Sequence, residues 1–172
     1  MTETEALSRA LIEEAARKSG LIWLQGPAGP SRALWHVWHE GAVCLVGGGA
    51  GEQPLDGLGL EDGGTATVTV RSKDKGGRLV TFTARVSELP AGGEAWGAAV
   101  AELKGKRLNA VDAEGIEERW ARECVVLRLE PRGDGVEPLP DGSLAAVPVA
   151  SPATTRKAMP AALPRLLRKR RR

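Results

Sequence analysis

The chain has 172 residues, a formal net charge of +2 and two cysteines, which suits one domain with its own core plus an appendage. Cys44 and Cys124 stand far apart, each within an apolar, strand-like run, which excludes a disulfide framework and suits a reducing compartment. The acidic start Met1-Thr2-Glu3-Thr4-Glu5 is no signal peptide, and no run approaches the roughly 18 apolar residues that span a bilayer, so a cytoplasmic protein is expected.

In chain order, residues 3–18 predict a helix. Ala6, Leu7, Ala10, Leu11, Ala15 and Ala16 recur at helical spacing, with Thr4 as N-cap and Ser19-Gly20 as the stop. Leu21 to Gln25 reads as a strand broken by Gly26-Pro27-Ala28-Gly29-Pro30. Residues 33–39 and 42–46 flank Glu40-Gly41 and predict a hairpin. Along its first arm Leu34, His36 and Trp38 share one face, and Trp35, Val37 and His39 the other. Residues 65–70 and 79–86 form a second hairpin around the basic turn 71–78. A helix over 94–109 carries Trp96, Val100 and Leu103 on one stripe, and a shorter one over 113–122 carries Ile116 and Trp120. Residues 123–130 are the last strand, stopped by Pro131.

These elements make an α+β domain over residues 1–132, with six or so antiparallel strands closing into a split barrel, an N-terminal helix and helices near 94–122. Residues 133–172 are rich in Pro and Ala and read as a mostly disordered tail. From Arg156 to Arg172 there are eight Lys or Arg and no acidic residue. Without them 16 basic residues face 22 acidic ones, so residues 1–155 carry a formal −6. That balance speaks against a basic nucleic-acid groove on the domain. Contact with nucleic acid or an anionic membrane would fall to the tail, by charge alone. A solvated, solubilising appendage accounts for the same residues and is the reading we favour.

Several residues carry candidate chemistry. His36 and His39 are three apart in a strand, so they face opposite ways and cannot share a metal; no zinc spacing is present. No Gly-x-Ser-x-Gly elbow supports a hydrolase. Gly47-Gly48-Gly49-Ala50-Gly51 fits neither a dinucleotide fingerprint nor a P-loop. It is either a loose connection or a place where bare backbone approaches a ligand. Trp35 and Trp38 are core or dimer contacts, or else a flat wall for an aromatic ligand with His36 as its polar contact. Arg71, Ser72, Lys73, Lys75 and Arg78 are a solvated hairpin tip, or a phosphate site offering charge-assisted donors and a hydroxyl.

The order of helix, Ser-Gly-Leu-Ile-Trp-Leu strand, Trp-His-Val-Trp-His hairpin, glycine-rich turn with Glu52-Gln53-Pro54-Leu55, and Val68-Thr69-Val70-Arg71-Ser72-Lys73-Asp74-Lys75 carries a resemblance. With the 96–109 helix and the 124–130 strand, it resembles the pyridoxamine 5′-phosphate oxidase-like split-barrel flavoproteins of actinobacterial type, over about residues 5–132. The resemblance implies a homodimer holding FMN, or alternatively F420, in grooves between subunits. His36, Val37 and Trp38 would line the ring site, Val46, Gly47, Gly48 and Gly49 would supply backbone contacts, and Arg71, Ser72 and Lys73 would meet the phosphate. One departure is visible: many members carry a Ser or Thr and a Lys after the third strand, where this chain has Gly-Ala-Gly-Glu-Gln-Pro. The cofactor would perform hydride or electron chemistry. The functional expectation is therefore a flavin-binding protein acting as an oxidoreductase; the alternative is a non-enzymatic interaction module working through its tail.

Overall fold

A computed structural model describes residues 3–110, 112–133 and 136–137, all within a compact unit spanning Met1–Leu139. The basic tail lies outside the described residues. The chain opens with helix α1 (Glu3–Lys18), acidic in its first turn and basic in its last, as the helix dipole favours. Thr4, expected as the N-cap, sits inside that first turn, because the helix already begins at Glu3. Strands β1 (Leu21–Gln25), β2 (Arg32–Trp35), β3 (Val37–His39) and β4 (Ala42–Gly47) follow, then β5 (Thr65–Arg71) and β6 (Arg78–Leu89). Helices α2 (Glu94–Lys106) and α3 (Ile116–Glu123) lead into β7 (Val125–Pro131).

The strands form one antiparallel sheet in the order β2-β1-β5-β6-β7-β4-β3. Its two edge strands, β2 and β3, are separated in the chain by His36 alone. The expected single strand over 33–39 is therefore bent at His36. Its first half pairs with β1, setting Leu34 opposite Ile22, and its second half pairs with β4, setting Val37 opposite Cys44. The sheet curls until its edges meet in consecutive residues, which removes free edges. Counted as one bent strand, β2 and β3 give the expected six, and the architecture is the α+β split barrel. Glu40 (φ 46°) and Gly41 (φ 76°) both take left-handed conformations, as a two-residue primed turn requires.

Two apolar clusters explain which faces are buried. Inside the curl, Ile22, Leu24, Leu34, Leu45, Val68, Phe82 and Leu129 pack with Ile12, Ala15 and Ala16 of α1. Outside it, Val37, Cys44, Val46 and Val126 pack against Trp96, Val100 and Leu103 of α2 and Ile116 and Trp120 of α3. Strand β4 lies between the two clusters, so all six of its residues are buried and its sequence is a continuous apolar run. The helix expected to reach residue 109 stops at Lys106, and Asn109 takes a left-handed φ of 56°. The last strand starts two residues later than expected, so Cys124 caps α3 and lies outside the strand. Past Pro131, Arg132 N–H donates to Thr83 O at 2.9 Å and Glu137 N–H to Thr81 O at 2.8 Å, both on β6.

Candidate functional site

The bend at His36 pulls β2 away from β4 and would leave backbone groups unpaired in the gap. The Gln53 side chain fills it. Its Oε1 accepts the Trp35 N–H at 2.9 Å, while Nε2 donates to Trp35 O at 3.0 Å and to Val46 O at 2.9 Å. A primary amide offers the donor and acceptor of a peptide unit, so one side chain stands in for a missing strand. At the bend itself, His36 Nε2 lies 3.0 Å from Ala16 O in the last turn of α1. Meeting that carbonyl requires the proton on Nε2, which leaves Nδ1 with the lone pair. Nδ1 is enclosed and has no hydrogen-bond partner among the described residues. Burial holds the imidazole pKa down at about 4, against the pull of the Ala16 hydrogen bond, so the ring is neutral at pH 7.

Ser19 and Gly20, the link between α1 and β1, border two adjoining cavities. One, of about 340 Å³, is lined by Trp35, His36, Lys106, Arg107 and Leu108. The other, of about 380 Å³, is lined by Leu21, Trp23, Arg71, Ser72, Lys73 and Gly76. In the second, the Arg71 guanidinium lies 4.7 Å from the centre of the Trp23 ring, within cation–π range. The β5–β6 hairpin tip is ordered by Ser72: its N–H donates to Gly77 O at 2.7 Å and its Oγ accepts from Lys75 N–H at 3.3 Å. Ser19 Oγ donates to Leu21 O at 2.6 Å and holds the link against β1. Together the cavities offer aromatic walls on Trp23 and Trp35, a hydroxyl, and cations that no carboxylate pairs with: neither Arg71, Lys73 nor Lys106 makes an ion pair among the described residues.

Of the residues singled out from sequence, Arg71, Ser72 and Lys73 come together around one cavity, and His36 borders its neighbour. With Nε2 committed to Ala16 and Nδ1 enclosed, His36 offers a ligand a ring surface and no free polar atom. Val37 and Val46 are buried in the outer cluster, and Trp38 packs half-buried against the inner one. The glycine run and the basic hairpin are not sheet neighbours, but across the closure of the curl only β1 and β2 stand between them: Val70 pairs with Ile22, Leu21 with Trp35, and Gln53 ties Trp35 to Val46. Gly47 pairs with Val125, and Val126 with Leu89 at the far end of β6, whereas Arg71 pairs with Arg78 at its near end.

The glycines are needed by their own neighbours. A Cβ on Gly47 would fall 2.4 Å from Gln53 O, and one on Gly49 2.4 Å from Cys124 Sγ and 2.8 Å from Glu123 O. Sequence reasoning also passed over Glu52, whose enclosed carboxylate meets Arg107 Nε at 3.1 Å, Arg119 Nη2 at 3.0 Å and Trp120 Nε1 at 3.0 Å. The Arg119 guanidinium also grips Asp112 at 2.6 and 3.1 Å, which raises the arginine pKa and lowers that of the carboxyl. Glu52 and Gln53 occupy the stretch that departs from the flavoprotein pattern, and both are used to fasten the fold. Trp23 was not singled out either: Leu21 to Leu24 is a continuous apolar run, and only the burial of Ile22 and Leu24 shows that Leu21 and Trp23 face out.

Fold and cleft define an α+β split-barrel protein with a ligand-sized, aromatic and basic cleft. No family model matches the chain, and no curated protein matches it either. Among solved structures it is similar to HutZ, the heme storage protein from Vibrio cholerae, at 15% identity and a TM-score of 0.51, covering 73% of this chain and 90% of that one. It is also similar to the conserved hypothetical protein Rv2991 from Mycobacterium tuberculosis, at 17% identity and a TM-score of 0.47, covering 77% and 81%. The likeness to HutZ concerns the fold alone. No helix among the described residues is long and apolar enough to cross a membrane, and no cluster of three or more His, Cys, Asp or Glu side chains there is arranged to hold a metal.

Proposed function

We propose that the cleft beside Ser19–Gly20 binds a phosphorylated aromatic heterocycle, FMN or alternatively F420, and that the protein is an oxidoreductase working as a homodimer. One observation carries this reading: Trp23, Arg71, Ser72 and Lys73 line a single cavity of about 380 Å³ that shares Ser19 and Gly20 with a second, aromatic one. Arg71 and Lys73 with the Ser72 hydroxyl suit a phosphate, and Trp23 and Trp35 suit a planar ring. Leu21 and Leu79, 50% and 43% exposed beside this cleft, suit burial by a second copy that would complete the site. The bound cofactor would supply the redox chemistry, while this chain binds and orients it.

A second ligand class follows from the name of the V. cholerae protein. Heme would need an axial ligand, and neither histidine of the chain offers an open Nε2: that of His36 meets Ala16 O, and that of His39 is enclosed, 3.8 Å from the Glu40 carboxylate. We therefore favour the flavin reading. The test is absorbance titration of the full chain with FMN, with F420 and with hemin. Tight 1:1 binding of FMN or F420 per protomer, lost in Arg71→Gln/Lys73→Gln, supports it. A Soret band with hemin and no response to either flavin-type cofactor overturns it.

A further inference from the structure

A second basic cluster lies apart from this cleft and shares no residue with it. Arg9 on α1, Arg85 on β6 and Arg132 just past β7 line a cavity of about 380 Å³ together with Gly63, Glu130 and Pro131. Arg9, Arg85 and Arg132 are all solvent-exposed, and none of the three guanidiniums makes a hydrogen bond or ion pair among the described residues. Glu130 stands opposite Arg85 in the β6–β7 register, yet no ion pair closes between them. Glu5, one turn before Arg9 on α1, is the other nearby carboxylate. Three guanidiniums against the lining Glu130 and the nearby Glu5 leave a net positive charge at a cavity with no aromatic wall.

We propose that this cavity is a second anion site, specific for a phosphate monoester dianion. Each guanidinium presents a rigid fork of N–H donors that matches phosphate oxygens, and the three residues that carry them line one cavity. A phosphate dianion brings more charge and more acceptor oxygens to this excess than a carboxylate does. Without an aromatic side chain in the lining, recognition rests on the phosphate, and whatever bears it extends toward solvent. The same chemistry is carried by soluble phosphate esters and by the headgroup of phosphatidic acid.

Two arms separate those sources. In the first, glycerol 3-phosphate is titrated into the full-length protein by calorimetry; in the second, the protein is co-sedimented with phosphatidylcholine vesicles with and without phosphatidic acid. Arg85→Gln/Arg132→Gln is compared with wild type, the basic tail being common to both, and circular dichroism checks that these exposed substitutions leave the fold intact. We expect a loss of about tenfold or more in affinity in whichever arm the wild type binds. Because the cofactor cleft would itself take a phosphate, the comparison is repeated in the Arg71→Gln/Lys73→Gln background, where a loss on Arg85→Gln/Arg132→Gln reads this cavity alone. Equal binding by wild type and Arg85→Gln/Arg132→Gln in both arms, or no binding in either, overturns the proposal.

Discussion

The enclosed Glu52 carboxylate makes a quantitative case. Replacing it with glutamine keeps the shape but removes the charge shared by Arg107 and Arg119, and presents an NH2 group where guanidinium N–H groups expect an acceptor. Breaking a buried ion pair by deleting one partner costs about 3–5 kcal/mol. Two features lower that figure here. The arginine side chains keep 23% and 19% of their exposure, and Asp112 still holds Arg119. The remaining amide oxygen can also still accept from Trp120. We therefore expect Glu52→Gln to cost about 2–3 kcal/mol. The comparator is Glu117→Gln, which breaks an equally short contact to Lys104 between side chains 48% and 41% exposed, and should cost about 0–1 kcal/mol. Urea unfolding at pH 7, followed by tryptophan fluorescence, reads both, since Trp120 sits beside Glu52 and 6.5 Å from the Trp35 ring. A Glu52→Gln variant within about 0.5 kcal/mol of wild type, or no costlier than Glu117→Gln, would refute the reasoning.

Three further outcomes are expected. The unfolded His36 imidazole takes up its proton near pH 6.5 and the folded one near 4, so the unfolded state binds more protons in between. Stability should be full above pH 6.5 and fall by roughly 3 kcal/mol as pH drops to about 4. His36→Gln should lose that part of the acid sensitivity, and unchanged slopes in both proteins would contradict the assignment. Burial pushes the Cys44 thiol up to about 11 despite nearby Arg128, so a disulfide reagent at pH 8 should label it only on unfolding; prompt labelling in the native state would count against its burial. Gly49→Ala should destabilise by about 2 kcal/mol or more, because its Cβ meets the Glu123 backbone, while Gly20→Ala finds open space and should be tolerated. Equal thermal stability of the two variants would show that the glycine loop is not tightly packed.

Much of the fold was legible from local pattern. The α1 periodicity, the Glu40-Gly41 turn and the stripes Trp96–Val100–Leu103 and Ile116–Trp120 all rest on neighbours within a few residues. The bend at His36 was not legible, because residues 33–39 alternate without a break and carry no glycine or proline. What stabilises it is an amide 18 residues away, on Gln53. Glu52 escaped for the same reason, its partners lying 55 and 67 residues further on. In the cleft, the basic hairpin was legible as a charge cluster, but Ser19 and Gly20 read only as a helix stop. Their second role depends on β1 passing between β2 and β5, a pairing that no local pattern contains.

The places of the glycine run and the basic tip in the sheet also have a topological cause. In an antiparallel sheet each hairpin reverses direction, so the end of the sheet at which a loop emerges depends on how far along its strand the turn falls. The Arg71–Arg78 turn lies at the start of β6, the longest strand, whereas β4 reaches β6 only through β7, whose Val126 pairs with the last residue, Leu89. The loop after Gly47 is therefore held near the α2–α3 end by Arg107 and Arg119, through Gly51 O at 3.1 Å and Ala50 O at 3.2 Å. The hairpin tip instead shares its cavity with the end of α1. Glycine in the first place meets a packing need, since backbone and sulfur lie where a Cβ would go. At Gly20 no such neighbour exists, and the open space belongs to the cleft. Glycine residues of similar appearance in the sequence thus meet different physical needs, one admitting close packing and the other leaving space open.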